Sequence, residues 1–281
     1  MDVLIVGLGL IGGAYAKRLS ASGYRVYGVD KNEETLKYAY DNNYCYDTST
    51  DETKFVGIAD IVIICLYPRD IIPFIDRNKE FFRPNQVITD VCGVKESFIT
   101  EATKKSYPAE YLSHHPMAGK EKSGIKYSGL VKFSDASFLI TPTLDTSPRS
   151  ITILTKMSKD LEFLHTYIIT PEEHDKMIAY TSQLTHVIAV SLVNSEHSET
   201  TNRFIGDSYR DLTRIAKINE HLWTELFLEN KTNLIKEIDL FLDSILDLRK
   251  ALDNNSESKI KEILNKSRLI RSEMEKWKNY I

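Results

Sequence analysis

The first thirty residues, MDVLIVGLGLIGGAYAKRLSASGYRVYGVD, constrain the fold more than any other part of the chain. An apolar run ends in three glycines, Gly7, Gly9 and Gly12, and is followed by a segment with helical apolar spacing and a second apolar run that closes on Asp30. Strand, glycine turn, helix, strand is the order of a βαβ unit. Its two strands lie parallel because the helix carries the chain back to the starting edge. Parallel strands need cover on both faces, so such a beginning commits the chain to an open α/β sheet.

The pattern continues to about Pro148. VLIV, RVYGV, DIVIICL, QVITDV, EYLSH and SFLIT read as strands bounded by Gly, Pro, Asn and Asp, and LIGGAYAKRLSAS, NEETLKYAYDN, RDIIPFIDRNKEFF and VKESFITEATKKS read as helices between them. This predicts a Rossmann-type, doubly wound parallel sheet over residues 1–148. From Ile151 onward helical periodicity dominates, and Gly206 is the only glycine. Residues 149–281 are expected to form an all-helical domain. Its stretches are too apolar on one face to stand alone in water, which predicts a homodimer that shares these helices.

A net charge of -4 without a dense Lys/Arg block excludes an electrostatic footprint for nucleic acid or an anionic membrane, and leaves a small molecule as the expected partner. No apolar run approaches the roughly 20 residues that span a bilayer, and the apolar start lacks a signal peptide's cationic flank and cleavage site. A cytoplasmic protein is expected. Cys45, Cys65 and Cys92 have no CxxC or ligand spacing and read as reduced, buried thiols, with no metal site.

In the βαβ context the glycines form a dinucleotide fingerprint. Gly7 permits the tight turn, Gly9 lets a pyrophosphate approach the backbone, and Gly12 lets helix and strand pack closely. Leu10 and Ile11 stand in the first helical turn, whose unpaired N–H groups face the phosphates. Asp30 is placed to accept hydrogen bonds from the adenosine ribose. A carboxylate there repels the extra 2′-phosphate of NADP, so NAD is the expected cofactor, with Lys31 offsetting the repulsion in part.

Four segments concentrate reactive side chains: TDVCGVK, SHHPMAGKEKSG, SQLTHVIAVSL and YRDLTRIAKINEHLW. The first two fall where strands end, the edge that faces ligand in an open α/β sheet. His115 is expected on a loop at that edge, where an imidazole can take a proton from a substrate hydroxyl while hydride leaves the same carbon. His114 would point the opposite way on an extended chain. Glu121 follows in the same loop, able to act on a bound group or to tune the imidazole. Ser182, Gln183 and His186 share a helical face and suggest a pocket wall. Arg210 and Arg214 lie one turn apart with Asp211 between them. One is expected to grip a substrate carboxylate and the other to serve a structural ion pair.

Taken in order, GLGLIGG, Asp30, HPMAG with Glu121, THVIA, and DLTRIA followed by Trp223 and ENK resemble the prephenate/arogenate dehydrogenase family over essentially the whole length. The resemblance implies an N-terminal Rossmann domain, a helical dimerisation domain, and NAD(P)-dependent oxidative decarboxylation of prephenate to 4-hydroxyphenylpyruvate. It implies that His115 meets the ring hydroxyl being oxidised, that Arg214 binds the substrate carboxylate, and that His186 and Glu121 occupy active-site positions. Two departures stand out. The family's DVGSVK loop reads DVCGVK here, so Gly93 replaces a serine whose hydroxyl would help orient histidine and substrate, and SHLPH reads Ser182, Gln183, Leu184, Thr185, His186. No appended regulatory domain and no preceding mutase segment are expected. Arogenate is the alternative substrate. A related β-hydroxyacid dehydrogenase would need a helical catalytic lysine that does not stand out, and a non-catalytic NAD-binding sensor would explain the lost serine but not the retained His115 and Arg214.

Overall fold

A computed structural model describes residues 1–104, 107–195 and 200–277. The chain opens with β1 (Asp2–Val6), α1 (Leu10–Ala21), β2 (Arg25–Val29), α2 (Glu33–Asp41), β3 (Asp47–Ser49), a short α3 (Thr53–Val56), β4 (Ile61–Ile64), α4 (Pro68–Asn78), β5 (Val87–Asp90), α5 (Glu96–Thr103) and β6 (Glu110–Tyr111). These strands form one six-stranded sheet in the order β3-β2-β1-β4-β5-β6, parallel throughout. The order reverses at β1, between β2 and β4, which opens a crevice beyond the carboxyl ends of those strands.

Both faces of the sheet are covered, as parallel strands require. Side chains alternate along β1: Val3 and Ile5 pack with Tyr15 and Leu19 of α1 on one face, while Leu4 and Val6 pack with Phe74 and Ile75 of α4 on the other.

EYLSH, read above as one strand, divides in two. Glu110–Tyr111 completes the parallel sheet, whereas β7 (Ser113–Pro116) leaves it and pairs antiparallel with β8 (Ser137–Thr141). After α6 (Pro148–Asp160), β9 (His165–Ile168) joins β8 in parallel and closes a second, three-stranded sheet. The helical periodicity expected beyond Ile151 is therefore interrupted by His165, Thr166, Tyr167 and Ile168, aromatic and β-branched residues that favour an extended chain.

Helices follow: α7 (Pro171–Ile178), a π-helical turn (Ala179–Gln183), α8 (Leu184–Ser195), α9 (Asp207–Thr213) and α10 (Glu220–Glu229). Thr170 and Glu173 form a reciprocal capping box at the start of α7, with Pro171 as its first residue, so that helix begins at a fixed place. The compact unit that holds all of these elements ends at Lys231.

A second unit, Thr232–Ile281, consists of most of α11 (Lys231–Asp253) together with α12 (Glu257–Trp277). Ile235, Leu240, Ile245, Leu246, Leu264 and Leu269 of these helices are exposed in the single chain. Among the described residues no helix is long and apolar enough to cross a membrane.

The glycine turn offers a stability test. A Cβ added at Gly12 would lie 1.9 Å from the Gly7 carbonyl oxygen, whereas one added at Gly9 meets nothing within 4 Å. Alanine is otherwise favoured over glycine inside a helix by about 1 kcal/mol, so the clash decides the sign. Gly12→Ala should lower the unfolding free energy by about 3 kcal/mol in urea titration, and Gly9→Ala should stay within about 1 kcal/mol of the parent.

Candidate active site

The nucleotide end of the site is built almost entirely from backbone. Gly7 follows β1 at φ +89°, its N–H donates to Val29 O at 2.8 Å, and a Cβ there would lie 2.6 Å from Cys65 O. That crowding reserves the position for glycine. Gly9 is the N-cap of α1 and has no side chain to satisfy the first turn, so the amides of Leu10, Ile11 and Gly12 stay available to an anion. Asp30 is held across from them: Oδ2 accepts the Leu8 N–H at 2.8 Å and Oδ1 the Asn32 N–H at 2.9 Å. An open space over Gly9, unpaired amides and a fixed carboxylate at the end of β2 suit a dinucleotide's pyrophosphate and ribose.

The chemical end centres on β7. His115 lies within this strand rather than in a loop after it, facing Leu139 of β8 in register. Strand alternation sends its neighbour to the opposite side. His114 is wholly buried, stacked on Phe138 with ring centroids 4.4 Å apart, and bonded through Nε2 to the Tyr15 hydroxyl at 2.9 Å and through Nδ1 to Thr89 Oγ1 at 2.6 Å.

His115 keeps an open edge. Its Nδ1 is 2.9 Å from Nε2 of His174, whose own Nδ1 is 2.7 Å from Oδ1 of Asp175. A Cβ built at Gly93 would lie 3.7 Å from His115 Nε2 and 3.5 Å from Leu226 Cδ2, so the vacant side of the ring borders Gly93. Burial first, then the neighbouring His174 and Lys95, holds the His115 pKa well below the usual imidazole range. Burial and Lys95 likewise lower His174, to about 3, with Asp90 opposing.

Beneath this pair runs an ion pair with no exposure at either side chain, Lys95 Nζ to Asp90 Oδ1 at 2.9 Å. Lys95 also donates to His114 O at 2.8 Å. Asp90 collects the Tyr111 hydroxyl at 2.6 Å, the Cys92 N–H at 2.8 Å and the Ser113 hydroxyl.

Arg214, just past α9, forms an ion pair with Glu121, and Arg210 pairs with Asp207 one turn back. Desolvation pushes the Glu121 carboxyl up, but its own backbone N–H and the Arg214 guanidinium outweigh it and hold the group below the usual range. His186 donates from Nδ1 to Ser182 O at 2.9 Å, and its ring lies against Trp223 with centroids 3.7 Å apart. Burial lowers its pKa, and it feels the charges of both Glu121 and Arg214.

The structure therefore brings Gly93 to His115, Glu121 to Arg214, and His186 within electrostatic reach of that ion pair. Gln183 is a tie rather than a pocket wall: it is buried, donates to Leu226 O at 2.9 Å and accepts from Asn230 at 2.8 Å. Arg210 turns to its own helix, with Ile205 O as a further acceptor at 3.1 Å. Sequence reasoning passed over Lys95, His174 and Asp175. The capped helix start TPEEHD carried a usable signal for the last two, because it fixes a His-Asp pair in an early helical turn.

A nucleotide cradle of glycines beside a strand that presents an imidazole defines a Rossmann-type oxidoreductase. The family model for the nucleotide-binding domain of prephenate dehydrogenase matches residues 15–167, and that for its dimerization domain matches residues 170–266. The chain belongs to the prephenate dehydrogenase family. The prephenate dehydrogenase of Bacillus subtilis is 29% identical over 257 residues, covering 88% of this chain and 69% of that one. The cyclohexadienyl dehydrogenase of Zymomonas mobilis is 28% identical over 258 residues, covering 89% and 88% respectively. A crystal structure of the prephenate dehydrogenase from A. aeolicus, in complex with hydroxyphenyl propionate and NAD+, matches with a TM-score of 0.87 at 28% identity and covers 98% of both chains.

The lowered imidazole pKa at His115 has a definite sign. A depressed value keeps the ring neutral, and able to accept a proton, through the whole neutral range, and that capacity is lost only as pH falls through the lowered value. The acidic limb of kcat/KM should lie below the pH of about 6.5 set by an ordinary imidazole. A limb centred above pH 7 in steady-state kinetics would show that the lowered His115 pKa does not govern it.

Proposed function

We propose that this chain catalyses the oxidative decarboxylation of prephenate to 4-hydroxyphenylpyruvate, with NAD as its cofactor. The observation that carries the reading is the His115 ring, enclosed enough to stay neutral yet open at Nε2 beside Gly93. NAD, when bound, supplies the hydride acceptor. His115 takes the proton of the ring hydroxyl, so that the carbon losing hydride becomes a carbonyl. Loss of carbon dioxide then leaves an aromatic ring, which makes the reaction run one way.

Arg214 binds a substrate carboxylate through the guanidinium that now pairs with Glu121. Glu121 holds the Arg214 guanidinium in place, His186 lies within electrostatic reach of that pair, and Arg210, engaged with Asp207, supports the segment that carries Arg214. Hydroxyphenyl propionate, a phenol with a carboxylate side chain, is bound to the A. aeolicus relative together with NAD+, and it carries the two kinds of group that His115 and Arg214 would meet. Arogenate differs from prephenate by an ammonium in place of a ketone on the side chain and is the alternative substrate.

The reaction belongs in the cytoplasm on this reading, which three free cysteines support. The chain acts as a homodimer, since the dimerization model reaches residue 266 and α11 and α12 leave large apolar side chains uncovered in one copy.

The decisive experiment follows NADH appearance with prephenate and with arogenate, using NAD and NADP in turn. Because Asp30 should accept ribose hydroxyls and repel a 2′-phosphate, NAD should exceed NADP in kcat/KM by at least roughly tenfold, about 1.4 kcal/mol. Equal use of the two cofactors removes this role from Asp30, and no turnover of either substrate removes the proposed function.

The two principal side chains should fail differently. His115→Asn should lower kcat by about 10² to 10⁴ with little change in KM, because proton acceptance develops with the transition state. Arg214→Ala should chiefly raise KM, because it removes binding common to ground and transition states. The reverse pattern in steady-state kinetics at saturating NAD would reassign both.

A further inference from the structure

Behind His115 lies a hydrogen-bonded chain that proton acceptance by His115 alone does not require: His115 Nδ1 to His174 Nε2 at 2.9 Å, then His174 Nδ1 to Asp175 Oδ1 at 2.7 Å. The chain has a direction. Asp175 Oδ1 also accepts the Lys95 N–H and Oδ2 the Glu96 N–H, each at 2.8 Å. Backbone amides only donate, so this carboxylate is fixed as an acceptor on every side, and His174 must meet it with a hydrogen on Nδ1. A neutral imidazole with Nδ1–H has its lone pair on Nε2. That lone pair faces His115, which therefore donates from Nδ1 and keeps Nε2 bare, on the side that borders Gly93.

We propose that His174 and Asp175 are positioning residues for the oxidation: they select the His115 tautomer whose Nε2 accepts the substrate proton, and they stabilise the imidazolium that results. The inference rests on the reading of His115 as the proton acceptor. When the hydroxyl proton arrives at Nε2, the hydrogen on Nδ1 stays in its bond to His174, and the new positive charge faces the Asp175 carboxylate through that ring.

The surrounding charges leave the pair free for this work. Lys95 is the cation that lowers both imidazoles, and its ammonium is paired to Asp90 and to His114 O rather than to Asp175. His114, on the far face of β7, stays neutral between Tyr15 and Thr89, since burial and Lys95 hold its pKa far down. Burial raises the Asp175 carboxyl to about 6, against the Glu96 N–H and the Lys95 charge, so at neutral pH it is chiefly ionised. The position of the pair is set from outside the site. The Thr170 and Glu173 capping box fixes the start of α7, and Asn230 donates to the Asp175 carbonyl oxygen at 2.8 Å.

The test reads the tautomer directly and the rate separately. In the full-length protein labelled with 15N-histidine, with His115 assigned by its loss in His115→Asn, the parent spectrum should show a bare Nε2 and a protonated Nδ1. A protonated Nε2 overturns the proposal without any further variant. His174→Leu keeps apolar volume but removes the acceptor. It should mix the His115 tautomers and lower kcat with prephenate by about 10², while KM changes little. His174→Gln places an amide oxygen where Nε2 stood, so it should restore the single tautomer and recover roughly tenfold of the lost rate. A His174→Leu protein with parental kcat, or equal losses in the two variants, overturns the proposal. If the parent turns over neither prephenate nor arogenate, the spectrum still decides the tautomer, so failure of the proposed reaction and failure of this inference are told apart.

Discussion

The buried contact between Lys95 and Asp90 holds the two sheets and the site in one frame. Asp90 is the last residue of β5, in the parallel sheet, and its carboxylate takes hydrogen bonds from Tyr111 of β6 and Ser113 of β7. Lys95 begins the turn into α5 and reaches His114 O on β7. The pair thus binds the end of one sheet to the first strand of the other, at the place where the chain turns from EY into SHHP. Two charges without any exposure are costly to desolvate, and such a pair is often no more stabilising than apolar residues of the same volume. What it supplies here is geometry. With the ammonium meeting both a carboxylate and a backbone carbonyl, β7 cannot slide by one residue without breaking the bond, and a one-residue slip would exchange His115 for His114 at the open side.

The same cation sets the electrostatic character of the imidazoles around it. Lys95 lowers the pKa of His114, His115 and His174 together, in addition to burial, so three rings stand close to one another without acquiring charge. They are then put to opposite uses by strand alternation. His114 spends both nitrogens on Tyr15 and Thr89 and stacks on Phe138, which makes it part of the core between the sheet and α1. His115 spends only Nδ1 inward and leaves the other nitrogen facing outward. A one-residue difference in position separates a histidine with both nitrogens engaged in the core from one that engages a single nitrogen.

The parts of this arrangement that were legible in the sequence are those set by local rules. The glycine turn could be read from its order because each glycine answers a steric demand within a few residues, and the structure shows the demands as a positive φ at Gly7 and a 1.9 Å clash for any Cβ at Gly12. That His114 and His115 face opposite ways could be read because period-two alternation is itself local. The break within EYLSH was not legible, since what pulls Ser113 out of the parallel sheet is its partner β8, more than twenty residues on. Neither was Gln183: its helical spacing with His186 is real, but its amide is drawn off by Leu226 O and Asn230 on another helix. His174 stayed hidden for the same reason, being 59 residues from the ring it meets.

Gly93 shows how a loss on one side of the ring shifts weight to the other. A serine there, the residue that the resembling family commonly carries, would put its Cβ 3.7 Å from His115 Nε2 in ordinary contact, close enough for the hydroxyl to reach the nitrogen and hold the ring from outside. Glycine gives no such hold, and the space beside Leu226 stays open. An imidazole fixed at one nitrogen can still rotate about that bond unless the acceptor is itself immobile. His174 meets that condition. It lies wholly buried, its far nitrogen is tied to a carboxylate with two backbone N–H bonds, and the helix bearing it starts at a capping box. Orientation of the ring therefore comes from the protein interior in this chain, and the side of the ring that borders Gly93 is left without a side-chain hydroxyl.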